Sequence, residues 1–318
     1  MAQIRNADRA GEMAVFVQVV ELGSLTAAAE KLHLSPSAVS KLITRLEDRL
    51  GARLLQRTTR RVSATAEGRL FYERARELLD EIDAAEELVR VGRLRPRGAL
   101  RVSLSHGFGM RQIVPLVPEF ASLYPDIELQ LAFADRRVDL VGQGLDLAIR
   151  LGIVRDETLI ARRLADHGRI ICATPAYLER HGVPVRPEQL AGHNCILFDQ
   201  PDHLNQWPFR QADGTTARVR VGGNFRSDNG DALFELLLGG LGIAWAADFL
   251  ALPHIATGRL VPLLTEHVVD ERTPIHAVYP QRRHVPAKVR VFIDFLAAKL
   301  RRPPWLDDAG TMPIQAGP

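Results

Sequence analysis

The sequence predicts an α/β protein preceded by a small all-α domain, and three observations carry that expectation. Near the N-terminus, apolar residues recur at helical spacing in several short segments. Beyond residue 96, short apolar strands alternate with helical segments, the pattern of an α/β sheet. Between them a long charged helical pattern runs into VGRLRPRG at residues 91–98, where Gly92, Pro96 and Gly98 break it. The expected parts are a small helical domain with a hairpin over 8–65, a long helix over 66–95, a two-lobed α/β domain over 96–302, and a disordered tail over 303–318.

The 318 residues, 46% hydrophobic and 25% charged, suffice for two or more cores. The N-terminus lacks the apolar stretch of a signal peptide and no run reaches the roughly 18 apolar residues that span a bilayer, so a cytoplasmic protein without membrane contact is expected. Cys172 and Cys195 are not in metal-like spacing. Neither a disulfide framework nor a metal site is suggested, and no cofactor is expected. Buried reduced thiols are the favoured reading; a redox-sensing pair, the alternative, requires adjacent sulfurs.

The N-terminal domain is organised around residues 23–50, GSLTAAAEKLHLSPSAVSKLITRLEDRL. Val39, Leu42, Ile43, Leu46 and Leu50 recur at helical spacing and form one apolar stripe, opposite Ser37, Ser40, Lys41, Thr44 and Arg45. Ser35 and Pro36 are a helix-start pair, a hydroxyl cap followed by proline in the first helical position. The preceding segment, Ala27 to Ala29 with Leu32, is a small-residue helix capped by Ser24 that can pack closely on its neighbour. Met13, Phe16, Val17 and Val20 give an opening helix that ends near Gly23. Gly51 ends the second reading helix, and residues 52–64 alternate as a two-stranded wing. From Lys31 to Arg61 eight cations face only Glu47 and Asp48, in a chain whose net charge is +3. Such a local cationic block is the footprint of phosphate contacts, which position a reader whose short polar side chains reach base edges.

Thr65 caps the next helix, with Glu67 near its positive end. Phe71, Ala75, Leu78, Ile82, Ala85 and Val89 follow at alternating spacings of four and three, a coiled-coil seam. One amphipathic helix packed on its own domain would carry similar residues, but acidic and basic residues solvate the other faces and favour dimerisation. Two-fold symmetry would then present two readers to a palindromic site.

The blocks LGSLTAAAEKL, SPSAVSKLITRLE and LLQRTTRRVSATAEG strongly resemble the N-terminal winged helix-turn-helix of LysR-type transcriptional regulators, and the resemblance extends to about Arg302. It implies a wing lying along the DNA backbone or minor groove and a linker-helix dimer or tetramer. It further implies a periplasmic-binding-protein-like regulatory domain whose chain crosses twice between lobes and which binds a small organic effector. RNA polymerase is a further candidate partner. The DNA-binding set expected in this chain is Ser35, Pro36, Ser37, Ser40, Lys41 and Arg45, with Arg57, Arg60 and Arg61 in the wing.

In the second half, strands are expected over 100–105, 128–133, 145–150, 170–174, 195–198, 219–225, 243–246 and 275–279, in a largely parallel arrangement. Helices are expected after Gly109, with Ile113, Leu116, Val117, Phe120 and Leu123 on one face, and over 136–143, 175–181 and 231–238. A closing helix has Val289, Phe292, Ile293, Leu296 and Leu300 on one face. Ligands of open α/β sheets sit beyond the carboxyl ends of strands, where strand order reverses. That rule, with the resemblance, nominates an inter-lobe pocket lined by Ser103, Ser105, His106, Phe133, Arg150, Phe198, Trp207, Asp228 and Asn229. The alternative for single members is structural: Ser105 and Asn229 as helix caps, Trp207 as lobe core. Arg150 favours an acidic ligand, and Asp228 and Asp231 counter it.

Two other function classes compete. An enzyme is disfavoured, because the chain carries no GxSxG elbow, HExxH helix or P-loop, and Gly240-Leu241-Gly242 follows a helix instead of joining a strand to one. No catalytic residue is nominated. A small-molecule-binding protein would suit the two-lobed half alone, but not the attached DNA reader.

Overall fold

The computed structural model describes residues 8–57, 62–89, 96–135, 139–199, 202–211, 213–281 and 285–307. They form two compact units, one holding the N-terminal part to Arg95 with 282–287, the other the remainder.

In the first unit α1 (Arg9–Leu22), α2 (Leu25–Lys31) and α3 (Pro36–Leu50) precede the hairpin β1 (Leu55–Arg57) and β2 (Val62–Ala64) and the long helix α4 (Ala66–Val89). Local capping sets these bounds. The side chains of Asp8, Ser24 and Ser35 accept from the backbone N–H groups of Gly11, Ala27 and Ala38, and Gly23 and Gly51 close α1 and α3 in the left-handed conformation. The turn between α2 and α3 is made by His33 at φ 54°, a position that no glycine marks. Val15, Phe16 and Val19 of α1, Ala28 and Ala29 of α2, Val39, Ile43 and Leu46 of α3, and Leu54 and Leu55 form one core. Leu50, expected on the buried stripe, is 39% exposed, because it is the last helical residue and α3 stops there.

Two residues close the wing onto the helices. The buried Glu47 carboxylate accepts from the backbone N–H groups of Leu54 (2.8 Å) and Leu55 (3.0 Å). At Gly68 a β-carbon would lie 2.0 Å from the Leu54 carbonyl oxygen, so only glycine lets the first turn of α4 approach the wing. Phe71 and Tyr72 pack on this core, and Phe71 meets Phe16 edge-on at 5.4 Å. Ala75 is buried, whereas Leu78 and Ile82 are exposed. The expected seam therefore divides: its first positions serve its own domain and the next two face outward in the single chain. The side chains of Ala85 and Val89 lie outside the described residues.

The second unit begins with β3 (Gly98–Leu104), α5 (His106–Phe108), a π turn (Gly109–Ile113), a 3₁₀ turn (Val114–Leu116), α6 (Val117–Leu123), β4 (Ile127–Phe133), β5 (Leu147–Leu151) and β6 (Leu159–His167). The second lobe holds β7 (Arg169–Ala173), α7 (Pro175–His181), β8 (Ile196–Phe198), β9 (Gln206–Arg210), β10 (Thr216–Arg220), β11 (Phe225–Ser227), α8 (Gly230–Leu238), β12 (Ala244–Ala247), α9 (Asp248–Ala256) and β13 (Val261–Pro262). The chain then returns through β14 (Thr273–Pro280), α10 (Ala287–Leu300) and α11 (Pro304–Asp307). It crosses between lobes twice, at Gly168 and between β13 and β14.

The first lobe is a five-stranded sheet in the order β4-β3-β5-β14-β6. β3 is parallel to both neighbours, while β14 is antiparallel to β5 and β6. In the second lobe β12-β7-β13 is antiparallel, β8 and β11 are parallel, and β9 pairs with β10 as a hairpin. The largely parallel arrangement expected from alternation holds only for β3, β4 and β5 and for β8 with β11. A strand that re-enters from the other lobe, as β14 does, runs against its neighbours.

Other differences have local causes. The helix expected over 136–143 is absent from its described part: residues 140–144 form turns, built on Asp139, which accepts from Gly142 N–H at 3.0 Å, and on Gly144 at φ 63°. Leu123, expected on the buried face, is exposed as the last residue of α6, while Ile113 and Phe120 stay buried. The tail expected to be disordered instead contributes α11, whose Trp305 is buried against Phe108 (5.8 Å) and Phe249 (5.9 Å); residues 308–318 lie outside the described ones. Cys172 and Cys195 are both buried, and burial pushes each thiol up to about 12. β12 separates them, with Ala244 opposite Cys172 and Ile243 opposite Cys195. Two strand spacings of about 4.8 Å each exceed the reach of a disulfide. The redox-pair alternative therefore has no support in this fold. Among the described residues no helix is long and apolar enough to cross a membrane, and no His, Cys, Asp and Glu cluster is placed to hold a metal.

Candidate functional site

The first candidate face is the solvated side of α3. Ser35, Pro36, Ser37, Lys41, Thr44 and Arg45 are exposed and Ser40 is half-buried. Ser35 Oγ, already accepting from Ala38 N–H at 3.2 Å, lies 3.0 Å from Ser37 Oγ, so the cap and the first outward serine form one polar entry to the helix. Arg45 and Arg49 have a structural role that charge counting missed. Both converge on Glu12 of α1, which is buried: Arg45 Nε lies 3.2 Å from Oε1, and Arg49 Nη2 donates to Oε2 at 2.8 Å. Arg53 pairs with Glu47 at 3.8 Å. Part of the cationic block thus neutralises two buried carboxylates. The side chain of Arg57 and all of Arg60 and Arg61 lie outside the described residues.

The second candidate is a cavity of about 240 Å³ between the lobes. β3 is the switch point of its sheet, flanked by β4 and β5, and its carboxyl end delivers Ser105 to the cavity. Of the nine nominated residues, Ser105, Arg150, Phe198, Trp207 and Asp228 line it. Trp207 is at once a wall and part of the second-lobe core. The other four stand behind or beside it. Ser103 Oγ, buried, accepts from Arg150 Nη2 at 2.6 Å and orients that guanidinium, whose pKa burial lowers. Phe133 packs against His106, with ring centres 5.7 Å apart. His106 serves Asp135: its N–H donates to Oδ1 at 2.8 Å, and its Nδ1 lies 3.4 Å from Oδ2. Asn229 caps α8 by accepting from Ala232 N–H at 2.9 Å and donates through Nδ2 to Asp135 at 3.2 Å. Its capping role, weighed as the structural alternative, is what the geometry shows, combined with a bond across the lobes. Arg111 adds a second link, 3.9 Å from Asp231 and 3.7 Å from Glu235 of α8.

Sequence reading missed the hinge side. His167, Gly168 and Arg169 are the first crossing between lobes, and His167 and Arg169 both line the cavity. His167 Nδ1 is 3.0 Å from the Gly168 carbonyl oxygen, which only accepts, so Nδ1 carries the proton. Burial, reinforced by the neighbouring Arg169, pulls this imidazole down to about 4 and keeps it neutral. Arg169 donates to the Trp245 carbonyl at 3.0 Å and lies 5.3 Å from the Phe198 ring centre and 5.4 Å from that of Trp245. Burial lowers it to about 10, and it remains a cation. Asp248, raised to about 6 by burial, accepts from Gly168 N–H (2.6 Å) and Phe249 N–H (2.7 Å) and meets Arg272 at 3.3 Å. One carboxylate therefore ties the first crossing to the segment leading into β14.

A helix-turn-helix with a solvated cationic face, carried in one chain with a two-lobed α/β domain around a cavity, defines a ligand-responsive DNA-binding regulator. Residues 93–301 match the family described as LysR substrate binding domain, and residues 11–69 match the bacterial regulatory helix-turn-helix protein, lysR family. The chain belongs to the LysR family of transcriptional regulators. It is 41% identical over 290 residues to the HTH-type transcriptional regulator CrgA of Neisseria meningitidis serogroup C, covering 91% of this chain and 96% of that one. It is 37% identical over 286 residues to the HTH-type transcriptional regulator DmlR of Escherichia coli K12, covering 90% and 92%. Among solved structures, CrgA from Neisseria meningitidis superposes with a TM-score of 0.61 at 40% identity over 91% of this chain and 98% of that one. The full-length Vibrio cholerae virulence activator AphB gives 0.57 at 29% identity over 91% and 99%.

Proposed function

We propose that this LysR-type regulator reads DNA through the solvated face of α3 and that a small organic molecule in the inter-lobe cavity sets its affinity. The observation that carries the ligand half is that the first crossing, through His167 and Arg169, and Asp135, which Asn229 bonds across the lobes, line one cavity, so an occupant acts on elements that set lobe closure. A ligand shifts such an equilibrium only by its differential affinity for the two arrangements. Ser35, Pro36, Ser37, Ser40, Lys41 and Arg45 form the reading set, with Arg57, Arg60 and Arg61 contacting phosphates from the wing. Ser105, Arg150, Phe198, Trp207 and Asp228 contact the effector, and Ser103, His106, Phe133 and Asn229 position that wall. The exposed Leu78 and Ile82 of α4 supply a dimer seam, and two dimers form a tetramer. The setting is the cytoplasm, with promoter DNA as the partner and RNA polymerase as the downstream contact. The test is the Ser105→Trp variant, which fills the cavity: it should keep DNA binding and lose every ligand response, and unchanged ligand affinity in that variant would remove the cavity from the mechanism.

A further inference from the structure

Among the described residues, three that line the same cavity each hold a buried polar side-chain atom without a hydrogen-bond partner: Ser105 at Oγ, His167 at Nε2 and Trp245 at Nε1. Leaving a buried polar group unpaired is costly, and such groups in native folds call for an explanation. A fourth group joins them. Among the described residues Arg169 donates one side-chain hydrogen bond, to the Trp245 carbonyl, and no carboxylate stands within ion-pair distance of it; Asp248 acts on it only from farther away, as Asp135 does on Arg150. The chemistry of the four differs in a useful way. Arg169 and the Trp245 indole only donate, and the Ser105 hydroxyl can donate, so together they suit an anion. His167 does the opposite: with its proton on Nδ1, held by the Gly168 carbonyl, Nε2 can only accept. The walls between them are rings, among them Phe198, Trp207 and Phe234, which favour a flat partner.

We infer that the cavity takes a small aromatic acid carrying a hydroxyl or other hydrogen-bond donor, with its anionic group on Arg169, Trp245 and Ser105 and its donor on His167. The inference rests on the effector reading of this cavity and adds the ligand's class and the residue that selects it. His167 is a specificity residue, because an analogue lacking the donor leaves Nε2 buried and unpaired. Its place in the first crossing, beside the Gly168 N–H held by Asp248, puts the selective contact on the hinge itself.

The test is calorimetric titration of the full-length protein with 2-, 3- and 4-hydroxybenzoate, benzoate, the methyl esters of the hydroxybenzoates, phenol and succinate. At least one hydroxybenzoate should bind, about tenfold or more tighter than benzoate and than its own methyl ester. His167→Phe should erase the preference over benzoate while retaining benzoate binding, and Arg169→Lys should weaken the acids and leave the ester unchanged. Circular dichroism of each variant verifies folding, and His167→Gln, which keeps an accepting oxygen, should restore part of the preference. Equal affinity for benzoate and every hydroxybenzoate, or a preference that survives His167→Phe, overturns the assignment of His167. Binding only of phenol, the esters or succinate, lost in Ser105→Trp, overturns the ligand class and leaves the cavity as the effector site. Binding of any panel member that Ser105→Trp does not change overturns both.

Discussion

Glu47 shows how much one side chain can decide. Its carboxylate takes up the two backbone N–H groups of Leu54 and Leu55 at the start of the wing, so the recognition helix and the hairpin share one buried acceptor. Glu47→Ala would strand both donors and is expected to destabilise the DNA-binding domain by about 2–4 kcal/mol, measured by urea unfolding. Glu47→Gln, which keeps one accepting oxygen, should lose less; equal losses would contradict the acceptor role. His167 and Asp248 give a second residue-scale expectation. The folded state disfavours the proton on His167, about 4 against an ordinary 6.5, so its contribution is present above pH 6.5 and is lost as pH falls through 4. Asp248, about 6 against 3.8, works the other way, and its contribution is lost as pH rises through 6. The stability difference between wild type and His167→Gln should therefore move by about 3 kcal/mol in favour of wild type between pH 4 and 6.5. A pH-independent difference would contradict the buried neutral imidazole. Neither residue's role was legible beforehand. Glu47 was counted as charge, and His167 lies three residues before the strand expected over 170–174, in a stretch given no element, so nothing local announced that a crossing between lobes placed it on a cavity. Trp245 did carry a signal, an indole N–H within a wholly apolar strand, which asks for a partner.

At the scale of elements, the caps and periodicities of α1, α2 and α3 are written in sequence because they depend on neighbours three and four positions away. Ser24, Ser35, Gly23 and Gly51 stand where they were expected, and so do α7 and the buried face of α10. Ser35→Ala should cost α3 about 1 kcal/mol. Arg45→Ala should weaken DNA binding and lower its salt dependence, read from anisotropy titrations across salt concentrations. Because Arg45 also faces Glu12, Glu12→Gln is expected to change stability with a smaller change in salt slope; identical slopes for wild type and Arg45→Ala would remove Arg45 from the contact set. In α4 the seam was read as one surface, yet tertiary packing divides it, and of its described side chains Leu78 and Ile82 are the exposed ones. Leu78→Glu with Ile82→Glu should lower the oligomeric state in sedimentation without unfolding the domain, and an unchanged assembly would place the interface elsewhere. β6 went unread for a related reason. Its LIARRLADH segment is an edge strand with three consecutive exposed residues, and its pairing with β14 depends on a segment more than a hundred residues away.

At the scale of the whole molecule, the family and the two-lobed class were legible because both rest on long patterns, whereas the detailed wall of the cavity was half legible. The strand-end rule found the side delivered by β3, β5 and β11 and missed the hinge side, since crossings between lobes follow from topology and not from local composition. The same topology makes the protein a candidate two-state device, with Asp135 and Asn229 linking the lobes at one place and Asp248 holding the crossings at another. The decisive measurement is DNA affinity of the full-length protein with and without saturating ligand from the calorimetric panel, by anisotropy on genomic fragments enriched on the protein. A shift of roughly 5–150-fold is expected in wild type, matched by an equal shift of ligand affinity when DNA is present, and lost in Ser105→Trp. Equal DNA affinity with and without a ligand that demonstrably occupies the cavity, or the same shift in Ser105→Trp, would contradict control through the lobes.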